Sequence, residues 1–337
     1  MLKSKKIPII GITMGDYNGI GPEIVLKAVR SFSREESAII IIGSGRVFED
    51  INQRLDQPIA LQTIEQLRRE DIQPGNVYML DIFNNEKIPI RFGAISKHAG
   101  QCAGKCIEEA VKFAMGGAID CIVTAPLSKE ALILAGYHFP GQTELLAFLT
   151  HSNKFLMMLL VDDFRVTLVT THCAISEISG QLSHERIFEK IQILDKCLRT
   201  DFEIESPSIA VTALNPHASD GGAFGKEEQK YIAPAIESAR QAGINAHGPF
   251  PADTLFAAIG RDRFDGYLAM YHDQGLIPLK MKAGGRGVNF TAGLPIIRTS
   301  PDHGTAFDIA GKMMAQSGSM LEAIKLGQHL AQKRNTG

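Results

Sequence analysis

Residues 271–305 read YHDQGLIPLKMKAGGRGVNFTAGLPIIRTSPDHGT, with His272, Lys280, Asn289 and Arg298 set among glycines at 275, 284, 285, 287 and 293. The apolar run that precedes them, Phe264–Met270, ends at His272 as a buried strand ends, and the glycines and prolines that follow predict a long loop. Long glycine-rich loops after the strands of an α/β sheet are where such folds keep their ligands. Glycine permits close backbone approach, and Lys280 and Arg298 supply positive charge that suits a phosphate or carboxylate.

Outward from this stretch the same pattern recurs. Phe164–Thr170 reads as a strand ending at Thr171-His172, and Ser208–Leu214 as a strand ending at Asn215-Pro216-His217. Three strands thus each deliver one histidine, His172, His217 and His272, just past their carboxyl ends. In a parallel sheet those ends share an edge, so the imidazoles can converge or meet across a subunit interface. Three neutral imidazoles make a first shell for Zn²⁺ or another late divalent ion and leave a position open for substrate. Taken singly, each histidine also reads as a strand-end polar residue with a local hydrogen bond. Amphipathic helices are expected at about 184–198 and 227–242, with others at about 305–315 and 320–332.

The amino-terminal part opens with strand, turn and helix: Ile7–Thr13, then Gly15-Asp16, then Gly21-Pro22-Glu23 leading a helix to about Arg30. Ala38–Ile42 is a second buried strand. The Gly43-Ser44-Gly45 turn after it lacks the third glycine and the later acidic residue of a dinucleotide fingerprint, so it reads as a plain strand-to-helix turn. His98, Cys102 and Cys106 line one side of a helix expected over about 96–115, but at 1.5 Å per residue they span about 12 Å, too far to share one ion. Core packing accounts for them better. Asp253, in Pro251-Ala252-Asp253-Thr254, is a candidate base, or alternatively an N-cap for a helix over 255–259. Asp16 is placed to cap its turn.

Composition sets the class. The 337 residues, long enough for two domains, carry a net charge of −2 and no basic run with interleaved aromatics, which gives nucleic-acid binding no support. The longest apolar runs, Ala38–Ile42 and Phe155–Val161, fall far short of a membrane span of about 18 residues, and the start of the chain shows no cleavage site, so a soluble cytoplasmic protein is expected. Five cysteines without a Cys-x-x-Cys pair indicate neither a disulfide framework nor a zinc ribbon.

The segments GDYNGIGPEI (15–24), VTAPLSK (123–129), TTH (170–172), LNPHA (214–218), PADTLF (251–256), YHDQGL (271–276), GRGVN (285–289) and GLPIIRTSPDHGTA (293–306) together resemble the 4-hydroxythreonine-4-phosphate dehydrogenase family of the vitamin B6 pathway, from end to end. The resemblance implies a two-domain α/β/α fold of the isocitrate/isopropylmalate dehydrogenase type with mostly parallel sheets. Residues 1–129 plus 295–337 would form one domain and 130–294 the other, with the active site in the cleft between them. It also implies a homodimer in which His172, His217 and His272 bind a divalent metal, the last reaching in from the neighbouring subunit. Zn²⁺ is the first expectation for that metal, with Mg²⁺, Mn²⁺ or Co²⁺ as alternatives. Lys280, Asn289 and Arg298 would hold the substrate together with Gln142 and Thr143. Asp302-His303-Gly304-Thr305-Ala306, ahead of a helix, is similar to the adenine-side loop of isopropylmalate dehydrogenases, so His303, Gly304, Thr305 and Ala306 are the expected contacts for NAD, with NADP as the alternative. Asp253 and Lys280 are the catalytic candidates.

The implied reaction is oxidation of 4-phosphohydroxy-L-threonine to a β-keto acid that loses CO₂ to give 3-amino-2-oxopropyl phosphate. One departure stands out, because the family carries a substrate-contacting histidine where this chain has Gln142, a side chain that hydrogen-bonds but carries no charge. Related substrates, D-erythronate 4-phosphate or a cyclic dihydrodiol, are therefore alternatives. Phosphate acyl transfer and a non-catalytic binding role are the weaker ones.

Overall fold

The computed structural model describes residues 7–259 and 264–336. The chain divides into two compact units, Met1–Asn153 with Leu294–Gly337, and Lys154–Gly293.

The first unit begins with β1 (Ile9–Thr13), α1 (Gly21–Ser31), β2 (Ala38–Gly43), α2 (Gly45–Gln53), β3 (Gln62–Ile64), β4 (Val77–Asp81), α3 (Lys97–Met115), β5 (Cys121–Thr124), α4 (Lys129–Leu134) and α5 (Gln142–Leu149). Strands β1, β2 and β5 are buried along their whole length, as a parallel sheet covered on both faces demands. Serine starts three of these helices: Ser44, Ser96 and Ser128 accept hydrogen bonds from the amides of Val47, Ala99 and Ala131. Cys102 and Cys106 are buried on α3, and Gly100 lets that helix lie against the backbone of Ala131 on α4.

The second unit comprises β6 (Leu156–Val161), β7 (Phe164–Leu168), α6 (Ile178–Gln181), α7 (His184–Thr200), β8 (Ser208–Thr212), α8 (Ala233–Gln241), β9 (Asn245–Phe250), α9 (Ala252–Ala257), β10 (Gly266–Ala269), α10 (His272–Ala283) and β11 (Val288–Ala292). The chain then returns to the first unit for β12 (Ile297–Pro301) and α11 (Gly318–Thr336).

In the first unit the strand order is β3-β4-β2-β1-β5-β12, all parallel. From β1 the chain winds outward to β2 and then crosses back to β5 on the other side, which makes the carboxyl ends of β1 and β5 a topological switch point. In the second unit the order is β11-β6-β7-β10-β8-β9, with β7, β10, β8 and β9 parallel and β6 antiparallel to both its neighbours. The carboxyl ends of β7, β8 and β10 therefore lie on one edge, as the three histidine-tipped strands predict. An α/β fold with mostly parallel sheets is what forms.

Three expectations are corrected. The stretch after His272 is not a long loop but helix α10, with Pro278 inside it. Burial of Leu276, Leu279 and Ala283, and the fit of Gly275 against Val166, Leu168 and Ala269, outweigh the local cost of glycine and proline. The helix expected at 305–315 does not form; residues 304–317 are turns and irregular chain, and the last helix starts at Gly318. Asp253 does not cap a helix either, because α9 starts at Ala252 with Pro251 at the cap position and Asp253 falls in the first turn. Among the described residues no helix is long and apolar enough to cross a membrane.

Candidate active site

At the edge of the second sheet, His172 and His272 stand with ring centres 6.0 Å apart. Two imidazoles sharing a tetrahedral ion, each nitrogen about 2.0–2.1 Å from it, have ring centres about 5–6 Å apart. The pair therefore fits a divalent cation. His272 Nδ1 lies 2.7 Å from Asp273 Oδ1, a contact that fixes the ring and leaves Nε2 as the ligating atom. The two rings line a cavity of about 520 Å³ together with Thr171, Cys173, Glu177 and Tyr271. Strand β7 positions His172 through its end, where Thr170 N and Oγ1 both bond to Met270 O, at 3.1 and 2.8 Å.

His217 follows β8 on the same edge but does not line that cavity. It opens a run of left-handed backbone, with φ of 52°, 52°, 66° and 43° from His217 to Asp220. Among the described residues no three His, Cys, Asp or Glu side chains are grouped to hold an ion, so the chain by itself brings two of the three expected ligands together.

At the switch point of the first sheet, Arg298 of β12 is buried with 2% of its surface exposed. Its guanidinium donates to Thr124 Oγ1 from Nε at 3.1 Å and from Nη2 at 2.7 Å, and Nη2 also donates to Gln142 Oε1 at 3.0 Å. Gln142 Nε2 in turn donates to Ala125 O at 3.2 Å, which sets the orientation of the amide. Burial pulls the guanidinium down to about 10, with the nearby Glu144 carboxylate opposing that shift. Gln142 and Thr143 are the first two residues of α5, so the helix start brings both to this point.

The other predicted residues are distributed on their own elements. Asn289 in β11 has a buried Oδ1 with no partner, an acceptor available to a ligand donor. Lys280 is exposed in the last turn of α10, and Asp253 is exposed on α9. Thr305 O accepts from Ile20 N at 3.0 Å, and a Cβ on Gly19 would meet Thr305, so the turn after β1 seats the 302–306 segment closely. Asp302 is held by Ser319, and His303 Nδ1 lies 3.2 Å from Gly304 O. These contacts give an exposed polar loop a fixed shape, which suits the polar edge of a nucleotide.

Sequence reading assigned Asp16 only a turn-capping role, and it does accept from Asn18 N at 2.9 Å. It is also fully buried at the carboxyl end of β1, with Oδ2 unpartnered, and burial pushes its carboxyl up to about 6. No local signal separates such an aspartate from an ordinary turn aspartate. Gln274 and Glu228, which organise the histidine edge, were likewise invisible because their partners are distant in sequence.

Residues 35–327 match the family model for the pyridoxal phosphate biosynthetic protein PdxA. The chain is 42% identical over 323 residues to a D-threonate 4-phosphate dehydrogenase of Salmonella typhimurium, covering 96% of this chain and 98% of that protein. It is 42% identical over 332 residues to a 4-hydroxythreonine-4-phosphate dehydrogenase of Caulobacter vibrioides, covering 96% and 98%. The crystal structure of 4-hydroxythreonine-4-phosphate dehydrogenase from Klebsiella pneumoniae superposes with a TM-score of 0.86 at 38% identity, covering 98% of this chain and 100% of that one.

Proposed function

Because the chain belongs to the PdxA family, we propose that it oxidises the 3-hydroxyl of a four-carbon hydroxy acid 4-phosphate, with 4-phosphohydroxy-L-threonine as the substrate and NAD as the oxidant. Membership makes it an oxidoreductase, which sets aside the acyltransferase and non-catalytic readings. The product is a β-keto acid, whose carboxylate leaves as CO₂ to give 3-amino-2-oxopropyl phosphate on the route to pyridoxal 5′-phosphate. In this reading the enzyme is a cytoplasmic homodimer, and Ile277 and Met281, exposed one turn apart on α10, belong to the apolar face that pairing covers.

The observation that carries the reading is the buried Arg298 fork, held in one orientation by Thr124 and Gln142. A desolvated guanidinium with its plane fixed matches a phosphate or carboxylate and orients the carbon that gives up hydride. Lys280 adds a mobile positive charge, and Asn289 Oδ1 accepts from a substrate hydroxyl or ammonium. His172 and His272, with His217 as the third ligand, would hold a divalent ion, Zn²⁺ first, whose Lewis acidity lowers the pKa of the substrate hydroxyl. His303, Gly304, Thr305 and Ala306 would bind the nicotinamide cofactor, which accepts the hydride. Asp253 is the proposed base; a loss of less than tenfold in turnover for Asp253→Asn removes it from that role.

A second reading, oxidation of D-threonate 4-phosphate, is favoured by the name of the Salmonella relative and by the uncharged Gln142. The two substrates share phosphate, 3-hydroxyl and carboxylate and differ at C2, amine against hydroxyl. Formation of NADH at 340 nm by metal-loaded protein, with the two offered beside D-erythronate 4-phosphate and with His217→Ala as control, decides among them. Turnover of none of the three would overturn the assignment.

A further inference from the structure

The hydrogen-bond ladder between β10 and β8 pairs Gly266 with Ile209, Tyr267 with Ala210 and Leu268 with Val211, and there it stops. Beyond it, one side chain takes over. Gln274 of α10 accepts through Oε1 from Met270 N and from Thr212 Oγ1, both at 2.7 Å, and donates from Nε2 to Ala213 O at 2.7 Å. Met270 precedes His272 by two residues, and Ala213 precedes His217 by four. A single amide therefore joins the two strand ends that carry two of the proposed ligands.

The path onward to His217 is anchored just as fully. Ala213 N donates to Phe250 O at 2.7 Å. Leu214 N and Asn215 N donate to Glu228 Oε1 at 2.9 and 2.7 Å, and Asn215 Nδ2 donates to Glu228 Oε2 at 2.9 Å. Glu228 is itself 3% exposed. Every residue from Thr212 to Asn215 is thus held from outside its strand. The run from His217 to Asp220 then adopts left-handed backbone at four consecutive non-glycine residues. Such a run persists only where its surroundings over-determine it. Gln274 holds its entry in place.

We propose that Gln274 is a positioning residue that fixes the spacing between the strand end bearing His272 and the strand end bearing His217, and so presents both imidazoles to a divalent cation in one arrangement. The inference rests on the metal reading given above. Gln274 touches neither cation nor substrate in this account; it acts through the backbone at Met270 and Ala213.

The test is made on full-length protein stripped with chelator and titrated with Zn²⁺ against a chromophoric competitor, and separately with Co²⁺ for its d–d absorption. Gln274→Met, neutral and of similar shape, removes all three bonds; Thr212→Val removes one and serves should the first variant fold poorly. Thr167→Val is the control, because it deletes the Thr167 Oγ1 bond to Tyr267 O, 3.0 Å, in the interior of the same sheet. The expected result is a Zn²⁺ affinity lowered about 10–100-fold in Gln274→Met with an altered Co²⁺ spectrum, a smaller loss in Thr212→Val, and unchanged metal binding in Thr167→Val at comparable unfolding midpoint. Wild-type affinity and spectrum in both Gln274→Met and Thr212→Val overturn the inference while leaving the metal reading intact. Failure of the wild type itself to bind Zn²⁺ or Co²⁺ overturns the metal reading and this inference with it.

Discussion

Arg298 and Gln142 are joined by a 3.0 Å hydrogen bond in which the buried guanidinium donates to an amide oxygen, and the other end of that amide is spent on Ala125 O. Gln142 is thereby an acceptor for Arg298 and adds no charge of its own. Gln142→Glu keeps the shape but places a carboxylate against the guanidinium, which then spends its charge inside the protein. KM for the phosphorylated substrate is expected to rise about 10–100-fold with a smaller change in kcat, in line with loss of a charge-assisted contact of about 1.5–3 kcal/mol. Initial-rate kinetics, with inorganic phosphate as a competing ligand, measure it.

Asp16 predicts a pH slope in stability. Its carboxyl is raised from 3.8 to about 6 by burial, so the folded state holds the proton more tightly than the unfolded chain does. The group therefore costs nothing below about pH 4, and its penalty grows as pH rises to about 6, reaching about 3 kcal/mol above that. Asp16→Asn, which cannot ionise, should flatten the change in unfolding free energy between pH 4 and 6. Urea denaturation at pH 4.5 and 7.5 would show it; an unchanged slope assigns the pH dependence elsewhere.

Lys27 of α1 bonds at 2.7 Å to Glu23, 2.9 Å to Met313 O and 3.0 Å to Ala315 O, while Glu23 also accepts from Ala315 N at 2.8 Å. These contacts clamp the irregular segment that follows the proposed cofactor loop. Lys27→Met leaves the buried Glu23 carboxylate without its cation and should cost about 2–4 kcal/mol. KM for NAD should rise more than KM for the acid substrate, since the loosened segment continues from 303–306. Equal changes in both constants would count against the cofactor assignment.

Gly100 predicts a packing defect. A Cβ there would collide with the backbone carbonyl of Ala131, which no rotamer change can relieve. Gly100→Ala should cost about 3 kcal/mol despite the better helix propensity of alanine, read as a lowered thermal midpoint.

Much of the histidine edge was legible because its signals are local. Each of β7, β8 and β10 is an apolar run that ends near a histidine, and parallel pairing puts such ends on one edge whatever the details. The Arg298 site was half legible: its charge and its glycine-rich setting could be read, but not that the side chain lies buried against Thr124 and Gln142, 174 and 156 positions away. Long-range partners of that kind leave no trace in spacing.

By itself the sequence determined the α/β class, the strand–histidine pattern and, through long motifs, the family. Buried strands and serine-capped helices announce themselves within a few residues, since burial period and cap chemistry are properties of the local chain. Only the tertiary structure decided that 272–283 is a helix and 305–315 is not. In the first case Gly275 and Pro278 argue against a helix locally, and burial of Leu276, Leu279 and Ala283 reverses the balance. In the second, the Ala315 amide and the carbonyls of Met313 and Ala315 are bound by Glu23 and Lys27, nearly 300 residues earlier in the chain, so the backbone is satisfied without forming a helix.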